Sequence, residues 1–217
     1  MRRVAAAALV ATLALAGAAG AINRSGTAAP DHLVGTNGPD HLSGEGGNDT
    51  VEGLGGDDGL NGGGGRDLLK GDTGDDDMSG GPATDRLLGG RGDDRLFGQG
   101  GADDLRGQSG GDRIFGNDGK DTLRGGDGDD VLKGRAGGDD LSGGDGEDLL
   151  YGGAGADELT GGPDEDTLRG GPGNDTFNAR DGSQDLIDCG DGSDTVFVDR
   201  QEDGVFNSEN VHFPKGS

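Results

Sequence analysis

Gly125-Gly126-Asp127-Gly128-Asp129-Asp130-Val131-Leu132-Lys133 is one of seventeen nine-residue units that follow one another without insertion or deletion over residues 26–178. Position 1 is glycine and position 6 is aspartate in all seventeen units, and position 4 is glycine in fourteen of them. Position 8 is apolar throughout, with thirteen leucines. A period this strict predicts a solenoid in which every unit forms the same small structural element.

The local structure of a unit follows from its glycine content. Each unit is too short and too rich in glycine for a helix. Positions 1–6 suit a turn, because glycine adopts the positive φ angles that other residues resist. Positions 7–9 suit a three-residue strand, whose alternation directs position 8 inward and positions 7 and 9 outward. The sequence therefore predicts an all-β chain of short strands around a narrow apolar core.

The overall composition conflicts with this order. The 217 residues include 53 glycines and no tryptophan, only 28% are hydrophobic, and the formal net charge is −25. Such a composition, taken without its order, is typical of a disordered acidic polymer. Disorder does not require apolar residues at one fixed phase, however. Both observations are consistent if a cation neutralises the carboxylates.

Glycine turns and aspartates together supply the ligands of a calcium site. Open turns present backbone carbonyls, and Ca²⁺ is a hard cation that takes six to eight oxygens. One unit cannot supply that many oxygens, whereas two stacked loops can, so the period predicts ions between loops. No stretch has the twelve-residue EF-hand ligand ladder. Acidic residues at position 5 are expected to be solvated neighbours rather than ligands: Asp57, Asp75, Asp93 and Asp129.

The repeat Gly-Gly-x-Gly-x-Asp-x-(Leu/Ile/Val/Phe)-x resembles the hemolysin-type calcium-binding repeat of the repeats-in-toxin family. The resemblance covers about residues 26–197. It implies a right-handed parallel β-roll, a solenoid with two repeats per coil and Ca²⁺ between successive loops along each edge. Loops 18 residues apart are then partners, and about fourteen ions fit between them. The implied metal ligands are Asp40, Asp49, Asp58, Asp67, Asp76, Asp85, Asp94, Asp103, Asp112, Asp121, Asp130, Asp139, Asp148, Asp157, Asp166 and Asp175.

The ends of the chain differ from the repeats. Residues 1–21 combine a basic start with an uncharged Ala/Leu-rich run and small residues at its end, a pattern typical of a secretory signal peptide. The segment holds two of the 18 basic residues and none of the 43 acidic ones, so its removal leaves a net charge of −27. The β-roll is predicted over residues 22–178. Ala179 breaks the phase, and residues 179–217 are predicted to be degenerate repeats and a C-terminal β cap.

Two features stand outside the repeat chemistry. Cys189 is the only cysteine, so the chain has no internal disulfide and its thiol is available to link two molecules. Phe97, Phe115 and Tyr151 share position 9 in units of the same parity, with Lys133 between them. They are expected to line up on the outer face of one sheet. Packing between neighbouring strands and a small docking patch are both compatible with this arrangement.

The sequence favours binding over catalysis. It has three histidines and no His-Glu-x-x-His motif, so we expect no enzyme. The acidic charge argues against nucleic acid and anionic membranes as partners, and no second apolar stretch is long enough to span a bilayer.

The leading hypothesis is a secreted, extracellular calcium-binding protein whose roll folds on Ca²⁺ binding and is unfolded without it. The alternatives are a calcium-dependent adhesive or structural cell-surface protein and an acidic extracellular calcium buffer. The residues do not identify a protein or cell-surface partner.

Overall fold

A computed structural model describes residues 20–198, 204–207 and 210–212 of the chain. Residues 1–19 of the predicted signal peptide lie outside this part, as do several residues of the predicted C-terminal cap. The described residues form strands, turns and bends and no helix, and so none that is long and apolar enough to cross a membrane.

Successive strands alternate between two parallel sheets, each with eleven strands in the described part of the chain. Sheet A contains β1 (Asn23–Ser25), β3 (His41–Ser43), β5 (Gly59–Asn61), β7 (Asp77–Gly81), β9 (Arg95–Gly101), β11 (Arg113–Gly119), β13 (Val131–Ala136), β15 (Leu149–Ala154), β17 (Thr167–Pro172), β19 (Leu186–Asp191) and β21 (Gly204–Phe206). Sheet B contains β2 (His32–Val34), β4 (Thr50–Gly55), β6 (Leu68–Thr73), β8 (Arg86–Arg91), β10 (Asp104–Ser109), β12 (Thr122–Asp127), β14 (Asp140–Asp145), β16 (Glu158–Thr160), β18 (Thr176–Ala179), β20 (Thr195–Val198) and β22 (Asn210–His212).

The pairing register follows the repeat. Leu105 on β10 pairs with Leu123 on β12, and Ile114 on β11 pairs with Leu132 on β13, so partners lie 18 residues apart. One coil therefore contains two repeats, one strand in each sheet and one loop at each edge. This architecture confirms the predicted all-β parallel β-roll.

The core is a single file of side chains from each sheet. All seventeen residues at position 8 are buried, from Leu33, which is 5% exposed, to Phe177, which is fully covered. Ile187 and Val196 extend the file into the degenerate repeats. The alternation of a strand explains the result, because position 8 is the residue of positions 7–9 that faces the opposite sheet.

Many strands are longer than the three residues predicted. In β12, pairing resumes after Gly125 and continues through Gly126 and Asp127 at positions 2 and 3. From the third unit onward, position 2 has a positive φ even where it is not glycine, as at Leu54 (φ 81°) and Arg135 (φ 81°). Glycine at position 1 and the positive φ at position 2 turn the backbone while keeping it parallel to the next coil.

The sheets extend beyond the regular repeats at both ends. Before the first repeat, β1 joins sheet A, where Arg24 pairs with Leu42. After Ala179, the register changes to 19 residues, so that Leu168 pairs with Ile187. The loop between β18 and β19 absorbs the extra residue. The phase slip therefore shifts the register without ending either sheet, and the domain boundary at residue 178 stays a prediction.

Candidate metal centre

The position-6 aspartates form one ladder along each edge of the roll, which we call the Asp ladder. The backbone N–H of Asp112 donates to Oδ1 of Asp130 at 2.7 Å, and the N–H of Asp130 donates to Oδ1 of Asp148 at 2.8 Å. The same bond recurs from coil to coil at 2.7–3.0 Å. All sixteen predicted ligands belong to the Asp ladder, and each contributes its Oδ1 atom.

The second carboxylate oxygen has no hydrogen-bond partner at most of these residues. The residues are at most 3% exposed. A buried, unpartnered carboxylate oxygen is costly, because it loses water and gains nothing in return. Asp40 is the exception among the predicted ligands, since the N–H of Thr36 donates to its Oδ2 at 2.5 Å. The other fifteen are Asp49, Asp58, Asp67, Asp76, Asp85, Asp94, Asp103, Asp112, Asp121, Asp130, Asp139, Asp148, Asp157, Asp166 and Asp175.

In eleven of these fifteen units, a backbone carbonyl oxygen of the next coil lies close to the same position-1 glycine as Oδ2; ten of these carbonyls belong to glycines and one to Cys189. A Cβ on Gly152 would lie 2.5 Å from Oδ2 of Asp157 and 2.9 Å from the carbonyl oxygen of Gly170, one coil further on. The Cβ positions of the other position-1 glycines are similarly close to Oδ2 of their own unit's aspartate. Two oxygens from different loops thus converge on a space that only glycine leaves open.

This donor set fits a hard cation. No three His, Cys, Asp or Glu side chains gather into one metal-binding group within the described residues. The carboxylates instead stand one per loop, and carbonyl oxygens of the glycine turns complete the set. Oxygen donors from carboxylates and backbone carbonyls are those that Ca²⁺ prefers.

Comparison with protein families agrees with the geometry. The sequence matches the RTX calcium-binding nonapeptide repeat (4 copies) over residues 25–60, 55–83, 79–114, 106–141, 115–150, 133–168, 151–183 and 160–196. The chain belongs to this family. RTX repeats bind Ca²⁺, so the predicted family and its calcium chemistry are confirmed. A comparison with curated proteins found no match to the chain.

Without a cation, the surroundings of the ladder carboxyls in the RTX roll disfavour their ionised form. Burial raises the pKa of the ladder carboxyls, and charge from neighbouring aspartates adds to it, although the backbone hydrogen bond to each carboxylate acts in the opposite direction. The pKa reaches about 8 at Asp112 and Asp166 and about 7 at Asp148. A cation beside Oδ2 would favour the ionised carboxylate and so lower these pKa values again.

The Asp ladder continues through residues that the predicted ligand set leaves out. The N–H of Asp166 donates to Oδ1 of Asp185 at 3.0 Å, and the N–H of Asp175 donates to Oδ1 of Asp194 at 2.9 Å. Both acceptors lie 19 residues from their donors, because the slip at Ala179 precedes them. The pattern Asp-x-(apolar) identifies Asp185 and Asp194 in the degenerate units, with Ile187 and Val196 as the apolar residues.

Position-5 side chains form a second, outer ladder. Oδ1 of Asp75 accepts the N–H of Asp93 at 2.9 Å, and Oδ1 of Asp57 accepts the N–H of Asp75 at 3.1 Å. Oδ1 of Asp129 likewise accepts the N–H of Glu147 at 3.1 Å. These side chains are exposed, as expected of solvated neighbours, and they also connect successive loops.

Cys189 occupies the place of a position-1 glycine and is fully buried. Burial, with the nearby charges of Asp194, Asp188 and Asp175, raises the pKa of its thiol to about 12. A covered, neutral thiol is a poor nucleophile. The folded RTX roll therefore does not present Cys189 for linking two molecules, contrary to one expectation from the sequence.

Proposed function

We propose that this chain is a secreted calcium-binding protein whose roll folds when Ca²⁺ binds between stacked loops along both edges. One observation carries the proposal. Fifteen of the sixteen proposed ligands have a buried Oδ2 atom without a hydrogen bond, each beside the position-1 glycine of its own unit. Asp40 is the weakest of the sixteen proposed ligands, because its Oδ2 already accepts an N–H.

The residues divide the work of a site between two coils. Oδ1 of each aspartate accepts an N–H from the preceding coil, which holds the carboxylate in place independently of metal. Oδ2 and the carbonyl oxygen of the position-1 glycine in the next coil supply the proposed ligands. A bound Ca²⁺ would neutralise the carboxylates and remove the cost of their burial. With roughly fourteen ions, as the spacing of loops implies, the added charge is comparable to the acidic excess of the chain.

Export and the absence of catalysis belong to the same proposal. The basic start and apolar run of residues 1–21 support export through a signal peptide. A chain that folds only with calcium would stay unfolded while calcium is scarce and fold where it is abundant. The presence of only three histidines and the lack of a His-Glu-x-x-His motif support binding as the sole activity. Gly107-Gln108-Ser109-Gly110-Gly111 matches Gly-x-Ser-x-Gly, but Ser109 belongs to a regular repeat on β10 and has no strand-to-helix turn around it.

Calcium titration of the full chain, followed by far-UV circular dichroism and calorimetry, tests the proposal. Sheet content should appear cooperatively with calcium, and magnesium at equal concentration should not replace it, because Mg²⁺ demands a more rigid geometry and sheds water reluctantly. Equal sheet content in EDTA and in millimolar calcium would rule out calcium-dependent folding.

Two substitutions in one loop separate ligands from other carboxylates. Asp130 is buried and belongs to the Asp ladder, whereas its neighbour Asp129 is exposed. Asp130→Asn keeps Oδ1 as an acceptor and should lower the number of bound ions and raise the calcium midpoint. Asp129→Asn removes the same charge and should leave the number of ions unchanged. Equal effects of the two substitutions would mean that the chain binds calcium through diffuse charge.

A further inference from the structure

The outer face of sheet A carries positive charge on a chain whose net charge is −25. On β9, β11, β13 and β17, the outward residues include Arg95, Arg113, Lys133, Arg135 and Arg169. We call these five residues the cationic strip. Asp77 on β7 and Asp188 on β19 flank the two ends of the strip, in register with Arg95 and Arg169.

The basic residues on the two sheets differ in whether they form ion pairs. Basic residues on the outer face of sheet B have acidic partners, as in Lys70–Glu52 at 2.8 Å and Arg106–Asp104 at 3.0 Å. Arg86 and Arg124 also lie within 4.0 Å of a carboxylate. In the described part of the chain, none of the five cations of the strip forms an ion pair. Four cations of sheet B therefore have a carboxylate within 4.0 Å, three of them sharing Asp104, whereas the five cations of the strip have none among the described residues.

Aromatic rings hold the strip in line. Phe97 and Phe115 stack with centroids 5.0 Å apart and an interplanar angle of 6°. Lys133 Nζ lies 5.9 Å from the centroid of Phe115 and 5.0 Å from that of Tyr151, and Arg169 covers Tyr151 at 5.6 Å. Neighbouring-strand packing therefore explains the rings, and cation–π contacts fix the positions of the charges above them.

We propose that the cationic strip binds an extended anionic polysaccharide, one that carries carboxylate or sulfate groups, running along the axis of the roll. The strip crosses five neighbouring strands of sheet A and is about 19 Å long at ~4.8 Å per strand. Arginine pairs with carboxylate and sulfate oxygens through its planar fork of donors. A linear polymer with charges along its length matches cations repeated from strand to strand.

Size and ring geometry argue against other partners. The strip offers roughly 200–400 Å² at the dimensions of a strand, less than the ~800 Å² per partner of a stable protein interface. Single-stranded nucleic acid binds through bases stacked on open ring faces, but both faces of Phe115 and of Tyr151 are already covered. A flat anionic bilayer would also meet the acidic loops, such as residues 125–130 and 143–148, that border sheet A.

Binding of dextran sulfate and carboxymethyl dextran to the full chain in millimolar calcium tests the proposal, with neutral dextran as the blank. Arg113→Gln with Lys133→Gln should weaken binding by roughly tenfold or more, and Arg95→Gln with Arg169→Gln should act similarly. Arg86→Gln with Arg106→Gln makes the same charge change on sheet B and should weaken it less than about twofold. The ratio of the two polymers distinguishes sulfate from carboxylate preference.

Several results would overturn the proposal: no binding by the wild-type chain, equal losses from the sheet A and sheet B variants, or tighter binding to single-stranded DNA or phosphatidylserine vesicles than to either polymer. Circular dichroism of every sample separates this outcome from failure of the proposed function. If the chain folds in calcium but does not bind the polymers, only the proposed role of the cationic strip is refuted. A chain that stays unfolded in calcium refutes calcium-dependent folding.

Discussion

Removal of calcium should make folding of the roll depend on protons. Burial raises the pKa of the ladder carboxyls in the folded state, to about 6 at Asp94 and about 8 at Asp112, from an ordinary value of 3.8. The folded chain therefore takes up protons more readily than the unfolded chain. This contribution to stability is fully present below the unfolded value and is lost as pH rises through the folded values. The metal-free chain is expected to fold better in acid, opposite to a domain with salt-bridged carboxylates.

The magnitude follows from the individual carboxyls. Holding one carboxyl ionised in the fold costs ~4 kcal/mol when its pKa rises from its ordinary value to about 7, at ~1.4 kcal/mol per pH unit. Eleven carboxyls have pKa values of about 6 to about 8, which together give on the order of 40 kcal/mol if they add. Neighbouring carboxylates titrate as coupled groups, so the true total is smaller. Even a third of it matches the whole stability of an ordinary domain, ~5–15 kcal/mol.

Far-UV circular dichroism of the chain in EGTA, from about pH 8 to about pH 5, measures this effect. Sheet content should be low at the alkaline end and rise as pH falls. The sequence isoelectric point is about 4.1, so dilute samples and light scattering are needed to detect aggregation in acid. In a parallel series with calcium, the calcium midpoint should rise as pH falls, because protons compete for the same oxygens. A metal-free chain that is equally folded across the range, or better folded in alkali, would refute the reasoning.

Three further predictions concern single residues. Gly152→Ala places a Cβ between two oxygens and should raise the calcium midpoint and destabilise the roll by about 1–3 kcal/mol. The control Gly59→Ala, whose Cβ would lie 3.5 Å from its nearest neighbour, should change neither quantity appreciably. Leu54→Gly relieves a positive φ of 81° and should raise the free energy of unfolding in calcium by about 1 kcal/mol; a lower melting temperature would contradict this. Cys189 should resist a thiol reagent in calcium and react quickly after EGTA is added, whereas rapid reaction in calcium would mean that the core opens there.

Much of the fold could be predicted because each repeat forms the same glycine turn and short strand. The phase of position 8 identifies the core residues, from Leu33 to Phe177, and one face of a short strand is enough to bury them. The pairing of loops 18 residues apart did not follow from the period itself. A nine-residue period is equally compatible with one repeat per coil, and only the family resemblance gave two.

Features set by the neighbouring coil were harder to predict. Leu54, Gln99 and Arg135 have nothing in common chemically, yet all occupy position 2 with a positive φ. Packing against the adjacent coils imposes that conformation, so the sequence of one unit does not reveal it. The outer ladder of Asp57, Asp75 and Asp93 is of the same kind, because its hydrogen bonds join loops that are remote in sequence.

The two oxygens of each ladder carboxylate account for the proposed dependence of the fold on calcium. Oδ1 is satisfied by an N–H of the preceding coil, so every aspartate contributes a hydrogen bond to the stack whether or not metal is present. That bond also fixes the charge in the interior, where Oδ2 has no partner from the protein. If Oδ2 had a built-in donor, as Oδ2 of Asp40 has in the N–H of Thr36, the coil would be complete without a cation. Fifteen of the sixteen proposed ligands have no such donor, and we infer that its absence, more than the acidic composition, would make the folded roll conditional on an ion.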